Sequence, residues 1–180
     1  VAVHKFSSCD GCQLAFLNLG EDLLVLAEQV DLVHFAEAGP LDPDTEVDIA
    51  FVEGSVSTPE DLERIRHIRS HSGLLIAIGA CATSGGIQGL RNGADSEQWT
   101  AQIYGHPEAI HSLALSTPIS DHVKVDFEIW GCPINSQQML AAVKSLLLGV
   151  SPRDNADKVC TECKRHGYPC IMVSRGIACM

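Results

Sequence analysis

Three apolar, strand-like segments of this 180-residue chain are each followed within a few residues by cysteine. Residues 1–6 (VAVHKF) precede Cys9 and Cys12, residues 74–80 (LLIAIGA) precede Cys81, and residues 125–131 (VDFEIWG) precede Cys132. In an open parallel α/β sheet, ligands gather at the carboxyl ends of the strands. If these strands share one sheet and one orientation, four thiolates meet at one edge. Such a site suits an iron–sulfur cluster or zinc.

Strand-like and helical segments alternate along the chain, which is typical of a doubly wound α/β fold. The apolar patterns predict strands at 1–6, 30–39, 47–54, 73–80 and 123–131. They predict helices over 13–29, from a Thr58 cap to about 71, and from an Asn135 cap to 147. We therefore expect a flavodoxin-like, doubly wound parallel sheet over 1–150 and a small cysteine-rich segment over 151–180. Residues 89–121 show no clear periodicity, and we expect a functional or interfacial loop there.

The composition narrows the class of protein. Hydrophobic residues make up 46% of the chain, enough for a core without metal or disulfide support. The net charge of −11 argues against a nucleic-acid partner, and no apolar run reaches membrane-spanning length. The chain begins at Val1 without Met or a secretory leader, so we expect a missing N-terminal stretch and a cytoplasmic location. Free thiols are then more consistent with the eight cysteines than four disulfides are.

Four short motifs, CDGCQ, VEGSV, GACATSGG and GCPIN, follow the predicted strands in this order. Together they resemble the small subunit of nickel–iron hydrogenases. The pattern is nearest to the cytoplasmic, NAD(P)-linked branch that includes the delta subunit of sulfhydrogenases. A homologous subunit of a quinone-reducing complex has adjacent cysteines at the first motif, whereas this chain has C-x-x-C.

The resemblance implies that Cys9, Cys12, Cys81 and Cys132 hold the [4Fe–4S] cluster nearest the nickel–iron site. That site belongs to a separate large subunit, so this chain is expected to carry no catalytic residue of its own. Electrons would pass between the large subunit and a flavin/NAD(P) or ferredoxin-type partner.

Other interpretations of the same residues stay open. A zinc-stabilised α/β interaction module without redox function is one, and a thioredoxin-like C-x-x-C that leaves Cys81 and Cys132 unused is another. Glycines beside Cys81 are interpreted as permitting close approach of backbone N–H groups to sulfur. Glu53 is either a solvated carboxylate at the end of a strand, or a residue that supports the cluster or handles protons beside it.

The end of the chain contains a second cysteine group, which follows a linker-like stretch. A compact four-cysteine segment is a common zinc form. The resemblance favours a second [4Fe–4S] cluster and implies that members of this branch continue with more cysteines for a third, so we expect a truncated segment here. The predicted ligands of the second cluster are Cys160, Cys163, Cys170 and Cys179.

Overall fold

The structure, a computed structural model, describes residues 1–153 and 159–178. The strands are Ala2–Lys5 (β1), His34–Phe35 (β2), Val47–Glu53 (β3), Ser72–Ile78 (β4) and Phe127–Ile129 (β5). The α-helices are Gly11–Leu17 (α1), Glu21–Ala27 (α2), Pro59–Ser70 (α3), Gly79–Ser84 (α4), Ser96–Ile103 (α5), Ser136–Leu147 (α6), Val159–Arg165 (α7) and Ile171–Arg175 (α8). These strands form one parallel sheet in the order β2-β1-β3-β4-β5. This is the strand order of flavodoxin-like folds, so the predicted parallel α/β sheet is confirmed.

Alternate residues of the central strands face two separate cores, as the period of two in a β-strand requires. In β3, Ile49 and Phe51 join one core, while Ala50 and Val52 join the other. The first core lies under α1, α2 and α6, and the second lies under α3. Because helices cover both faces, β3 and β4 are apolar almost throughout.

Two helix starts predicted from capping residues are confirmed. The Thr58 side chain accepts a hydrogen bond from the Asp61 N–H, and the Asp61 carboxylate accepts one from the Thr58 N–H, which forms a capping box before α3. The Asn135 side chain accepts from the N–H groups of Gln137 and Gln138 at the start of α6. Each cap satisfies backbone donors that have no partner within the helix.

The single helix predicted over 13–29 is wrong. The chain leaves α1 at Asn18, buries Leu19 and starts α2 after Gly20, whose φ of 61° favours glycine. The strand predicted over 30–39 shrinks to two residues, because the Phe35 N–H bonds Pro40 O and the Gly39 N–H bonds Phe35 O in a turn. Residues 36–46 contain no helix, so the alternation of strands and helices is interrupted between β2 and β3.

The edge strand β5 is also shorter than predicted. It covers Phe127–Ile129 rather than 123–131. The Asp126 carboxylate accepts the Leu75 N–H at 2.9 Å and pairs with Arg69 at 2.5 Å. The Asp126 side chain therefore accepts a hydrogen bond from a backbone N–H of β4 that a longer β5 would otherwise bind.

The segment 89–121 contains more regular structure than its sequence pattern indicates. A 3₁₀-helix spans Gly86–Gly93, and α5 follows, with the Asp95 side chain accepting from the Gln98 N–H at its start. Near the start of the segment, Arg91 and Asn92 donate hydrogen bonds to the carbonyl groups of Leu113 and Ser116 near its end. No helix in the described ranges combines the length and the apolarity that a membrane span needs.

Candidate cysteine site

Four strands end in one register row at the edge where the cysteines lie. Lys5 of β1 pairs with Glu53 of β3, Glu53 with Ile78 of β4, and Ile78 with Ile129 of β5. Cysteines follow β1, β4 and β5 within a few residues of this row. Parallel strands point the same way, so one edge of the sheet receives all of these loops.

The cysteine loops contact one another directly. The Ala80 N–H, beside Cys81, donates to Gly131 O at 2.7 Å, which joins the loops after β4 and β5. Gly11, between Cys9 and Cys12, faces Pro133, since a Cβ there would lie 3.3 Å from the proline Cβ. The loop that carries Cys132 is thus fixed against both other loops.

Glycines make room for two of the sulfurs. Gly79 has a φ of 82°, and a Cβ there would collide with Cys12 Sγ. Gly86 has a φ of 57°, and a Cβ there would lie 2.6 Å from Cys81 Sγ. Both positions therefore need glycine for backbone conformation and for space. This is the close approach that the glycine-rich sequence around Cys81 predicts.

The thiols influence one another electrostatically. Burial raises the pKa of the Cys12 thiol to about 12, against the lowering effect of the Ile134 N–H, and the charges of Glu53, Cys81 and Cys9 raise it further. Burial likewise raises the pKa of Cys81, with further raising effects from Cys132, Cys9 and Glu53. These mutual effects place the thiols in one neighbourhood, and deprotonation of the buried pair would need compensating positive charge, such as a metal supplies.

Glu53 is buried at the centre of the register row, with 2% of its surface exposed. Its carboxylate accepts hydrogen bonds from the Cys12 N–H at 3.1 Å and the Gln13 N–H at 3.3 Å. Burial raises the pKa of Glu53. The interpretation of Glu53 as a solvated strand-end carboxylate is wrong, because it instead holds the start of α1 in place.

Gln88 contributes to the site although nothing in the sequence marks it. It lies in the 3₁₀-helix after Cys81 and donates from Nε2 to Ser7 O at 2.8 Å. Burial raises the pKa of the Cys81 thiol, and a hydrogen bond from the Gln88 side chain opposes that rise. The position of Gln88 in an aperiodic stretch gives no indication of either contact.

The second cysteine group is described in part. Cys160 and Cys163 lie three residues apart on α7, where that spacing puts side chains on one side of a helix. Cys170 immediately precedes α8, and Cys179 lies outside the described residues. Within 1–153 and 159–178 the cysteines are free thiols, and no three His, Cys, Asp or Glu side chains surround a position for a single metal ion. In a four-iron cluster each thiolate binds a different iron, so its ligands enclose a wider space than those of one ion.

Exposed apolar side chains border the cysteines. Leu14 is 49% exposed, Ile87 74%, Leu90 77% and Trp130 52%. Each lies within a few residues of a cysteine or on the 3₁₀-helix that follows Cys81. We name these four residues the apolar rim. If these side chains form one contiguous patch, they mark an interaction surface.

Comparison with known proteins defines the class. Residues 9–146 match the family model described as NADH ubiquinone oxidoreductase, 20 Kd subunit, so the chain belongs to this family. It is 34% identical to the sulfhydrogenase 2 subunit delta of Pyrococcus furiosus, over 100% of this chain and 75% of that protein. It is 30% identical to the NAD-reducing hydrogenase HoxS subunit delta of Cupriavidus necator, over 83% of this chain and 78% of that protein.

A solved structure supports the same placement. The crystal structure of an NAD⁺-reducing [NiFe]-hydrogenase in the H2-reduced state contains a chain with a TM-score of 0.79 to this one at 29% identity. The match covers 86% of this chain and 94% of that one. The predicted resemblance to the NAD(P)-linked and sulfhydrogenase delta branch of hydrogenase small subunits is therefore confirmed.

Proposed function

We propose that this chain is the electron-transfer subunit of a nickel–iron hydrogenase and that Cys9, Cys12, Cys81 and Cys132 bind a [4Fe–4S] cluster. The observation that carries the proposal is the register row that delivers the cysteine loops to one edge of the sheet. Relatives named as hydrogenase delta subunits support it. When bound, such a cluster takes up and releases one electron at a time.

The residues of this chain fit that cofactor. Soft thiolates are the ligands that iron–sulfur clusters prefer. Gly79 and Gly86 leave space beside two sulfurs that any side chain would fill. Glu53 acts through the backbone by fixing Cys12 and Gln13, so we assign it a positioning role beside the cluster. Its buried carboxyl group is also placed to hold a proton near the ligands.

The proposed division of labour assigns H2 chemistry to a large nickel–iron subunit that covers the apolar rim. A specific interface buries on the order of 1,600 Å², and an obligate pair buries more. A flavin/NAD(P) or ferredoxin-type subunit would exchange electrons with this chain, in line with the NAD-reducing relatives. A cytoplasmic location belongs to the same proposal, because the acceptor NAD(P) is found there.

The segment 151–180 is proposed to hold a second [4Fe–4S] cluster and to form a unit separate from the domain over 1–150. The described residues of both cores lie within 1–146. Side chains of α8 are exposed, with Met172 at 54% and Val173 at 86%. A segment with so little buried apolar surface gains order from metal binding. Its ligands would be Cys160, Cys163, Cys170 and Cys179.

A second candidate function follows from the family model, whose name refers to a quinone-reducing complex. The same cluster would then pass electrons to a quinone site in place of exchanging them with a nickel–iron site. The zinc-stabilised interaction module is the candidate without redox chemistry. Metal and acid-labile sulfide analysis distinguishes zinc from iron, and H2-driven reduction distinguishes hydrogenase from quinone-linked function.

The deciding experiment compares Cys81→Ala with Ser84→Ala in the anaerobically purified complex. Cys81→Ala removes a ligand of the N-terminal site, and we expect loss or conversion of one cluster signal in the EPR spectrum and a sharp fall in H2-driven dye reduction. Ser84→Ala is the control, since Ser84 is exposed on the same helix as Cys81 and is not a proposed ligand. An unchanged spectrum and undiminished dye reduction in Cys81→Ala would contradict the proposal.

A further inference from the structure

We infer that Gln88 raises the reduction potential of the cluster held at the N-terminal site, by donating an N–H hydrogen bond to the Cys81 sulfur while Ser7 O holds the same amide. The inference rests on the proposed function, because it assigns a role to a residue beside the proposed cluster. It concerns the reduction potential of the cluster and makes Gln88 a positioning residue that acts through Cys81 rather than a ligand.

The orientation of the Gln88 amide follows from its partners. Ser7 O is a backbone carbonyl and can only accept, so the atom 2.8 Å from it is the amide nitrogen. An amide nitrogen carries two N–H groups. One bonds Ser7 O. Burial raises the pKa of the Cys81 thiol and a hydrogen bond from the Gln88 side chain opposes that rise, so we assign the second N–H to this sulfur. Oε1 is buried and has no hydrogen-bond partner among the described residues, so the donors alone fix this side chain.

The amide links two loops of the site. Ser7 lies two residues before Cys9, and its backbone forms an antiparallel bridge with Ser55, with N–H to O distances of 3.2 and 3.0 Å. Gly86 allows the backbone to pass close to Cys81, so the 3₁₀-helix that carries Gln88 starts beside the sulfur. Ser7 O holds the amide nitrogen on one side, which leaves the second N–H of that nitrogen for the Cys81 loop.

The physical effect has a defined sign. Reduction adds one electron and therefore one negative charge to the cluster and its four thiolates. An N–H donor to a ligand sulfur stabilises the more negative state more strongly, which raises the potential. Gln88 is partly buried, so water screens the dipole of its amide less than it would at a fully exposed position. Removal of the donor should lower the potential, and a carboxylate in its place should lower it further.

The test is an EPR-monitored redox titration of the anaerobically purified complex with Gln88→Met and Gln88→Glu. Both substitutions keep the side-chain length and remove the amide N–H donors. Gln88→Met adds no charge, whereas Gln88→Glu adds a negative charge. Gln29→Met and Gln29→Glu are the matched controls, since Gln29 is exposed and precedes β2 at the opposite edge of the sheet. We expect the potential of the N-terminal cluster to fall in Gln88→Met, to fall further in Gln88→Glu, and to stay unchanged in both Gln29 variants.

The outcomes separate this inference from the function on which it rests. An intact cluster signal with an unshifted potential in both Gln88 variants overturns the inference and leaves the proposed function standing. Cluster loss in both variants also overturns it, because Gln88 would then serve assembly rather than potential. If Gln88→Met loses the cluster and Gln88→Glu keeps it, the reduction potential measured in Gln88→Glu tests the inference. Absence of iron and sulfide from the unmutated complex contradicts the proposed function itself.

Discussion

Individual glycines at the site are required because a larger side chain would collide with a cysteine sulfur. Gly86 has a positive φ, and a Cβ there would come within 2.7 Å of Cys81 Cα as well as close to its sulfur. Among the described residues, Gly93, at the other end of the same 3₁₀-helix, has no atom within 4 Å of where its Cβ would lie. The two glycines lie on one helix but differ in backbone conformation and in surroundings.

We predict that Gly86→Ala lowers the iron content and destabilises the protein by about 1–3 kcal/mol, since it adds backbone strain and a clash with backbone atoms. Gly93→Ala is the control and should retain iron. Iron per chain and denaturant-induced unfolding measure the two effects. Equal iron content in the two variants would show that the space beside Cys81 is not required.

A buried histidine pair on the sheet responds to pH. His4 is 4% exposed and stacks on His34 with ring centroids 4.6 Å apart. Burial lowers the pKa of His4 to about 3, and the nearby charges of His34, Arg64 and His67 lower it further. The folded state therefore keeps His4 neutral at pH values where the unfolded chain, near its ordinary pKa of 6.5, takes up a proton.

Because the folded pKa is depressed, this contribution to stability is present above pH 6.5 and is lost as pH falls toward 3. We predict that the wild type loses about 1 kcal/mol more than His4→Phe between pH 6.5 and 5.5. The free energy of unfolding at both pH values measures this difference. The exposed His111 provides the control, and His111→Phe should follow the wild type. Parallel pH dependence of wild type and His4→Phe would contradict the assignment.

At the scale of elements, helices α7 and α8 stand apart from the two cores. The described core residues come from 1–146, whereas described side chains around Cys160, Cys163 and Cys170 are largely exposed. Burial of apolar surface therefore holds the sheet and its helices together without these two elements.

We predict that deletion of residues 154–180 leaves the domain folded with about four irons, against about eight for the full chain. Cys163→Ala should give a similar count of about four, since it removes one ligand of the second cluster while keeping the segment. Iron, zinc and sulfide analysis of the three proteins gives the counts. Four irons and one zinc in the full chain would instead identify the second cysteine group as a structural zinc site.

For the whole molecule, the proposed large subunit would cover both the site at the sheet edge and the apolar rim. Leu90 is 77% exposed and lies on the 3₁₀-helix after Cys81. Leu24 is 68% exposed on α2, where no cysteine is near in sequence. If the large subunit covers the site, these two leucines should differ in their importance for assembly.

We predict that Leu90→Glu weakens association with the large subunit about tenfold or more, because burying a charge in an apolar contact is unfavourable. Leu24→Glu should leave association unchanged. Affinity of each variant for the purified large subunit, with circular dichroism to confirm folding, measures the effect. Equal affinities of the two variants would show that the large subunit binds a different surface. H2 turnover by this chain alone would contradict the assignment of H2 chemistry to a large subunit.

Much of the site could be predicted because its signals are local. Cys81 and Cys132 directly follow apolar strand-like runs, Cys9 and Cys12 follow another within a few residues, and parallel strands end at one edge of the sheet. The caps at Thr58 and Asn135 are likewise set by neighbouring residues in the chain. The break at Gly20 and the shortening of β2 and β5 were not predicted, because packing and competing side-chain hydrogen bonds decide them.

The sequence by itself determined the fold class, the edge of the sheet that carries the cysteines, and the chemistry that four thiols can perform, since periodicity and residue type are properties of the chain. The tertiary structure alone decided that Glu53 is buried against the start of α1 and that Gln88 lies between Ser7 and Cys81. These contacts join residues 41 and 81 positions apart in the chain. Only the packing of the sheet edge brings them together, because no local pattern encodes a hydrogen bond across that separation.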